Sequence, residues 1–487
     1  MAKSAQAKRG FRPTRALAVN VGKGARWLSR RLGRGGGTSL PGLLAEKLDP
    51  SMLPALAAAI PNGNILITGT NGKTTTTRIL ADALRRNGLE PITNREGSNL
   101  LRGLTTTLLS YTDGWGNLQV PANAIGVLEI DEGALPQVVR VIEPRLLVFT
   151  NLFRDQLDRY FEVDYVAHLW SRALQDVPAH VPLVLNADDP QVAYLGQGLE
   201  NPVIYYGVED MRLARPKLEH ISDSRRCLRC GTDLLYSHTF YAHLGHYACG
   251  KCGWSRSRPR VSAWKIELAG LEGSHLEAST PWGDQSFELP LAGLYNVYNT
   301  LAAATAAFTL GVDAGSVKEA VAHITTAFGR LERFKVGDKQ VCLALVKNPS
   351  GFNETLRLLL TDGNPKGVLL ALNDQIQDGR DVSWIWDVEL ELCRRGSKFV
   401  VVSGSRALDM ALRLKYAGLL EPEQDGADGA GSPPGLTIEE DVIKAFWAGL
   451  EKTPPGDTLY VVPTYTAMWT LREELAREGY IEPFWRR

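Results

Sequence analysis

Cysteine is scarce in this chain: six residues among 487. That is too few for a disulfide-stapled secreted scaffold, and four of the six fall into two close pairs. No apolar run reaches the roughly 18 residues that a spanning helix needs. The first residues lack the apolar core of a secretory leader, so a cytoplasmic address is expected. A net charge is also missing, since Lys plus Arg and Asp plus Glu both number 54, and whole-molecule charge points to no polyanionic partner. The remaining composition, 44% hydrophobic and 22% charged, is that of a globular protein of two or three domains.

Acid is absent locally as well. Residues 1–35 contain ten Lys or Arg and no Asp or Glu. Within them "RALAVNVGKGARWLSRRLGRGGG" has the pattern of a short basic amphipathic helix ending in glycines. Two uses fit it. The helix packs its Leu and Trp faces on the first domain, or it meets an anionic membrane surface, where each basic residue contributes about 1 kcal/mol.

What is present is a nucleotide loop with one letter changed. In "ILITGTNGKTTTTRIL" the Gly-Lys-Thr of a phosphate-binding loop stands at Gly72, Lys73 and Thr74, but Ile67 occupies the usual first glycine position. A buried strand runs into glycine-rich backbone and then into a helix whose Ile79, Leu80, Ala83 and Leu84 share one face. That succession aims free N–H groups and the positive helix end at phosphate oxygens. Gly69 and Gly72 allow close approach, Lys73 reaches for the outer phosphates, and the Thr74 hydroxyl suits Mg²⁺.

Further strand-like runs are "AIGVLEID", "RLLVFTNL", "VPLVLNAD" and "PVIYYG", with helical stretches between several of them. The alternation predicts an α/β protein with a parallel sheet. "GLYNVYNTLAAATAAFTLG" reads as a long Ala-rich helix. A second series follows, "KGVLLALND", "KFVVVSGS" and "DTLYVVPTY", and a boundary is expected near residue 325.

Cys227 and Cys230 are separated from Cys249 and Cys252 by eighteen residues. Two Cys-x-x-Cys knuckles at this gap predict a structural zinc ribbon, closed to water, with a small β-hairpin between them. A redox pair or buried thiols are the alternatives. His243 and His246 are possible substitute ligands, and Cys342 and Cys393 read as inert core thiols.

The spelling Gly69-Thr70-Asn71-Gly72-Lys73-Thr74-Thr75 resembles the Mur ligase superfamily, which includes peptidoglycan amino-acid ligases and folylpolyglutamate synthase. The resemblance implies activation of a carboxylate as an acyl phosphate by ATP. It places a second Mg²⁺ on Glu129 of "VLEIDEG", with Asp131 and Glu132 as neighbours. "TNLFRDQLDRYF" is similar to the family's Thr-Asn-x-x-x-Asp-His-Leu-Asp stretch, with Gln156 at the metal-binding His position. Asn299 would read the adenine edge with Asn296 nearby, and Arg330 of "FGRLERF" would reach the ATP phosphates. Departures are as informative. "LALVKNPSGFNETL" keeps Asn348-Pro349 of the family's Asp-x-x-His-Asn-Pro ribose stretch but not its acid, with Lys347 near the site instead; no lysine lies near Ser171, and the loop comes too early for the family's UDP-sugar domain to be expected before it.

"LGRGGGTSLPG", the four-cysteine ribbon and "DGRDVSWIWD" together resemble a narrower family, the MurT ligase subunits of lipid II isoglutaminyl synthase, over nearly the whole chain. This implies a Mur ligase central ATPase domain (46–325) with a zinc ribbon at about 222–258, after a basic segment (1–45) and before a C-terminal Rossmann-like α/β domain (326–487). It implies a glutaminase partner of the GatD type, a lipid II substrate at the inner face of the membrane, and the cofactors ATP, Mg²⁺ and structural Zn²⁺. The reaction would amidate the α-carboxylate of D-glutamate. Asp381, or else Asp378, would orient the partner's catalytic His; Asp381 also reads as a helix N-cap. Trp384 and Trp386 fit either core or partner surface. The competing readings are a ligase that adds an amino acid and a nucleotide-binding scaffold without turnover.

Overall fold

The computed structural model of the chain describes residues 13–31, 40–94, 98–155, 163–215, 223–325, 331–360, 362–419 and 435–482, with backbone alone at 13 and 28–31. Gln156 and Arg330 lie outside the described residues.

The strands of the first half are β1 (Asn64–Thr68), β2 (Glu90–Thr93), β3 (Ala124–Glu129), β4 (Pro144–Phe149), β5 (Leu183–Asn186) and β6 (Val203–Val208), then the hairpin strands β7 (Leu235–Tyr241) and β8 (Leu244–Ala248), then β9 (Val261–Leu268), β10 (Ser274–Ser279) and β11 (Gln285–Leu289). All but the hairpin join one nine-stranded sheet in the order β11-β10-β9-β6-β5-β4-β1-β3-β2. From β9 to β2 each neighbouring pair is parallel, while β10 and β11 extend the edge in antiparallel sense. The expected α/β architecture is therefore present.

Both faces of this sheet are covered, which is why its central strands read as continuous apolar runs. Ile65, Ile67, Val127 and Val148 point to a core shared with helices Lys73–Arg86 and Leu294–Thr309. Leu66, Leu128, Leu147 and Phe149 point to the opposite core. The Ala-rich helix Leu294–Thr309 is buried almost throughout, because small side chains let it lie close to its neighbours. From β1 the chain moves out to β2, returns to β3, then crosses to β4 on the other side of β1. That reversal opens a crevice at the carboxyl ends of β1, β3 and β4.

The second half builds β12 (Glu332–Val336), β13 (Lys339–Leu343), β14 (Lys366–Ala371), β15 (Ser397–Ser403), β16 (Gly435–Ile438) and β17 (Thr458–Pro463) into a sheet of order β12-β13-β17-β14-β15-β16, parallel except at β12. Its residues alternate between two cores in the same way: Val368 and Leu370 on one face, Leu369 and Ala371 on the other.

The basic segment forms helix Pro13–Arg31, which packs on helix Leu40–Leu48. It does so through Ala18, Val19 and Gly22. Leu17 and Trp27 are exposed, so the packed face of the helix is not the one that carries these two side chains. No helix among the described residues is long and apolar enough to cross a membrane.

Candidate active site

The loop after β1 sits in the crevice. Gly69 has φ +135° and Gly72 φ +87°, in the region that favours glycine. Space gives a second reason for each. A Cβ on Gly69 would lie 2.0 Å from Thr150 Oγ1, and one on Gly72 would lie 1.9 Å from Asn299 Oδ1. Gly72 caps helix Lys73–Arg86, whose first N–H groups have no partner within the helix.

The segment after β4 holds this loop from outside. Thr70 N–H donates to Asn151 O (2.9 Å) and Asn71 N–H to Asn151 Oδ1 (2.9 Å). The Thr70 hydroxyl bonds Phe153 twice, donating to its carbonyl (3.1 Å) and accepting from its N–H (3.0 Å). Thr150 Oγ1 donates to Asn71 O (2.8 Å). The first side chain inside the helix, Lys73, is buried; its Nζ donates to Gly69 O and Thr70 O and pairs with Glu132 Oε2 at 2.9 Å. Burial pushes the Glu132 carboxyl above its ordinary value, and Lys73 beside it opposes that shift.

Thr74 Oγ1 donates to Glu129 Oε2 at 2.8 Å, so the hydroxyl at the helix start and the carboxylate at the end of β3 are adjacent. Glu129 is fixed by Asn94, which accepts from its N–H (2.8 Å) and donates to its carbonyl (2.9 Å). Asn299 lies against Gly72 and donates to Asn296 Oδ1 (3.1 Å). The structure thus brings together Gly69 to Thr75, Glu129, Asn296 and Asn299.

The second sheet closes over the loop. Lys347 Nζ pairs with Asp155 (2.9 Å) and approaches Thr70 O (3.4 Å), while Asn348 Nδ2 donates to Asn71 Oδ1 (3.1 Å). Arg154 pairs with Asp387 at 3.1 Å. Lys347 was expected near the site; its partners, and the contacts of Asn348, Asn94, Thr150, Asn151 and Arg154, were not predicted from sequence. "TNLFRD" marked the region, but it did not show that its polar groups support the loop.

The Mur ligase middle domain model matches residues 67–235, and the MurT ligase C-terminal model matches residues 345–468. The chain is 33% identical over 94% of its length, and 97% of the relative's, to the MurT subunit of lipid II isoglutaminyl synthase (glutamine-hydrolyzing) from Staphylococcus aureus. It is 32% identical to the Streptococcus pneumoniae counterpart, over 94% of this chain and 96% of that one. The chain belongs to the MurT family. The fold is that of Mur ligases generally: a pseudomurein peptide ligase type C from Methanothermus fervidus superposes with a TM-score of 0.62 at 22% identity, covering 86% of this chain and 79% of the other. MurF from Acinetobacter baumannii gives 0.63 at 19%, covering 90% and 81%.

In this MurT-family chain the four ribbon cysteines converge. Their sulfurs lie within 4.8 Å of one another, with Cys227 to Cys252 and Cys230 to Cys249 both 3.5 Å apart. A tetrahedral zinc with bonds of about 2.3 Å sets sulfurs roughly 3.8 Å apart, so the cluster fits the ion. All six cysteines are free thiols, and burial raises Cys342 to about 11 and Cys393 to about 12, as inert core thiols require. Neither histidine joins the cluster. His246 bonds Val208 O (3.0 Å), and His243 is fully buried at the hairpin tip, 3.4 Å from Asp189. That tip turns through Ala242 at φ +48° and stacks His243 and Tyr241 on Phe153, at 4.8 and 5.0 Å between ring centres. The ribbon therefore packs beneath the segment that holds Thr70.

The MurT C-terminal unit separates the two candidate aspartates. Asp378 is buried and accepts from Thr466 N–H (2.8 Å) and from the Thr466 hydroxyl, at the start of helix Tyr465–Arg477. Asp381 is exposed and accepts a local bond from Ser383 N–H (2.8 Å); the Ser383 hydroxyl and that N–H hold its carboxyl below the usual range. The tryptophans separate likewise: Trp384 is buried near Phe352, whereas Trp386 is exposed beside Tyr416 and under Arg413.

Proposed function

We propose that this chain is the synthetase subunit of a lipid II isoglutaminyl synthase, amidating the α-carboxylate of D-glutamate in the lipid II stem peptide at the inner face of the membrane. The observation that carries the reading is the closure of Lys347 and Asn348 over a loop that also holds Lys73, Thr74 and Glu129. One crevice gathers an anion cradle, two cations and a hard-oxygen pair, as phosphoryl transfer from ATP demands.

In this reading Gly69 to Thr75 grip the ATP phosphates, and Lys73 exchanges Glu132 for the outer phosphate. Thr74 and Glu129 are the residues that would hold Mg²⁺, which neutralises charge on the phosphates. Asn299 and Asn296 face the adenine side. The substrate carboxylate attacks the terminal phosphorus, ADP leaves, and an acyl phosphate forms. Ammonia attacks its carbonyl carbon and phosphate departs. Lys347 beside Asp155 is placed to steady the transferring group. Because ammonia is small and neutral, the site needs no pocket for an incoming amino-acid backbone.

The ammonia comes from a GatD-type glutaminase docked on the second unit. Asp381 is our choice for the carboxylate that orients the partner's His, since it is exposed and charged, whereas Asp378 is occupied by Thr466. Zinc at the four cysteines is structural.

The test is mass spectrometry of lipid II incubated with this chain, ATP, Mg²⁺ and ammonium. The expected product is lighter by the difference between a hydroxyl and an amino group, located on the glutamate. ATP hydrolysis that appears only when an L-amino acid is supplied would instead assign an amino-acid ligase.

A further inference from the structure

We infer that the outward face of helix Pro13–Arg31, with the turn between Thr112 and Leu118, is a docking surface for an anionic lipid bilayer. Thr14, Leu17, Asn20, Gly24 and Trp27 are all exposed, and their spacing of three or four residues makes one stripe along the helix. The arrangement inverts ordinary burial. Ala18, Val19 and Gly22 face the protein, while Leu17 is 56% and Trp27 60% exposed.

The stripe continues onto a second element. Asn20 Nδ2 donates to Gly114 O (2.9 Å), and Lys23 donates to Thr112 O. These bonds set Trp115, 65% exposed, and Tyr111, 38% exposed, beside the helix. Large amphipathic rings and an aliphatic side chain on one face are the composition of an interfacial anchor.

Charge decides the occupant. The helix carries Arg15, Lys23, Arg26, Arg30 and Arg31 and no acid, within a stretch of 35 residues that has ten Lys or Arg and no Asp or Glu. Of the nearby carboxylates Asp49 is balanced by Arg15, whereas Glu46 and Asp113 keep their charge, so the cationic excess comes from the rest of the basic segment. Asp49 takes Arg15 and Ser51, Glu46 accepts from Thr105, and Asp113 accepts the N–H groups of Trp115 and Asn117. A face with this cationic excess and exposed indoles is complementary to anionic headgroups over a hydrocarbon boundary. The inference rests on the proposed lipid-linked substrate for its purpose, since docking would place the crevice near a substrate that cannot leave the bilayer.

Flotation with vesicles tests it. The full chain should float with phosphatidylglycerol–phosphatidylcholine vesicles about ten-fold more than with phosphatidylcholine alone, and high salt should release it. Combining Leu17→Ser, Trp27→Ser and Trp115→Ser should reduce flotation about ten-fold while ammonium-supported amidation of detergent-dispersed lipid II persists. The milder pair Trp27→Phe and Trp115→Phe should remove the quenching of tryptophan fluorescence by brominated acyl chains. Equal flotation of the triple variant, or none by the unmodified chain, overturns the inference. So does a protein dimer that the triple variant dissolves without any vesicle binding. Amidation without flotation defeats docking alone, and flotation without amidation defeats the proposed reaction alone.

Discussion

At the carboxyl edge of the first sheet, the loop after β1 presents glycine backbone, Lys73 and a helix N-terminus. At the same edge of the second sheet, the loops after β14 and β17 meet through Asp378 on Thr466, and Asp381 stands outside them. Both sheets are mostly parallel and both carry helices on two faces, so topology supplies each with a crevice. The sign of the charge differs. One edge is built to receive an anion and the other to offer one. Architecture locates a site, while a handful of loop residues decides what it does.

The sharpest way to break this contrast is Lys73→Ala. It should lower amidation about a thousand-fold or more with either ammonium or glutamine, measured as product formed, with the melting curve little changed. Asp381→Asn should act only at the other edge, lowering glutamine-supported amidation by about 10²–10⁴-fold while ammonium-supported turnover stays near normal. Its pH dependence carries a sign. Because Ser383 depresses the Asp381 carboxyl, the charge is present above the ordinary carboxylate range and lost only as pH falls below it. An acid limb above about pH 5 in glutamine use should therefore survive unchanged whichever buffer is used, and belongs to another group.

Cys249→Ser tests whether the ribbon serves the first edge. Bound zinc, by metal analysis, should be lost and Tm should fall by several degrees, with weaker ATP binding because Phe153 loses its support from Tyr241 and His243. Gly72→Ala should weaken ATP binding or stability by about 1–3 kcal/mol in titration and melting experiments, since its Cβ meets Asn299. Asp387→Asn is the mildest. Its pair with Arg154 is about one-third exposed on each side and should contribute under about 1 kcal/mol in a melting experiment.

The sequence revealed elements where burial on both faces wrote itself as unbroken apolar runs, as in β1, β3, β4 and β14. It did not reveal β9 to β11, whose alternate residues face solvent and which pair with one another in antiparallel sense, nor β2, a four-residue strand that contains Pro91. The helix Lys73–Arg86 and its buried face were readable from spacing alone. In the site, glycine, lysine and cysteine were legible because few residue types can do their chemistry. Asn94, Asn151 and Phe153 were not: the two amides grip backbone groups of distant residues, which no local pattern records, and Phe153 holds Thr70 through its own backbone. Asp378 and Asp381 looked alike in sequence, and only burial distinguishes them.

The Lys73–Glu132 pair means that the loop carries its own counter-charge. An incoming anion has to outcompete a carboxylate that belongs to the protein itself. A lone phosphate or sulfate, with a single small charge centre and no base to dock beside Asn299, gains little from the exchange. In the proposed reading the pair thereby screens against abundant cellular anions a cradle whose shape would otherwise admit them.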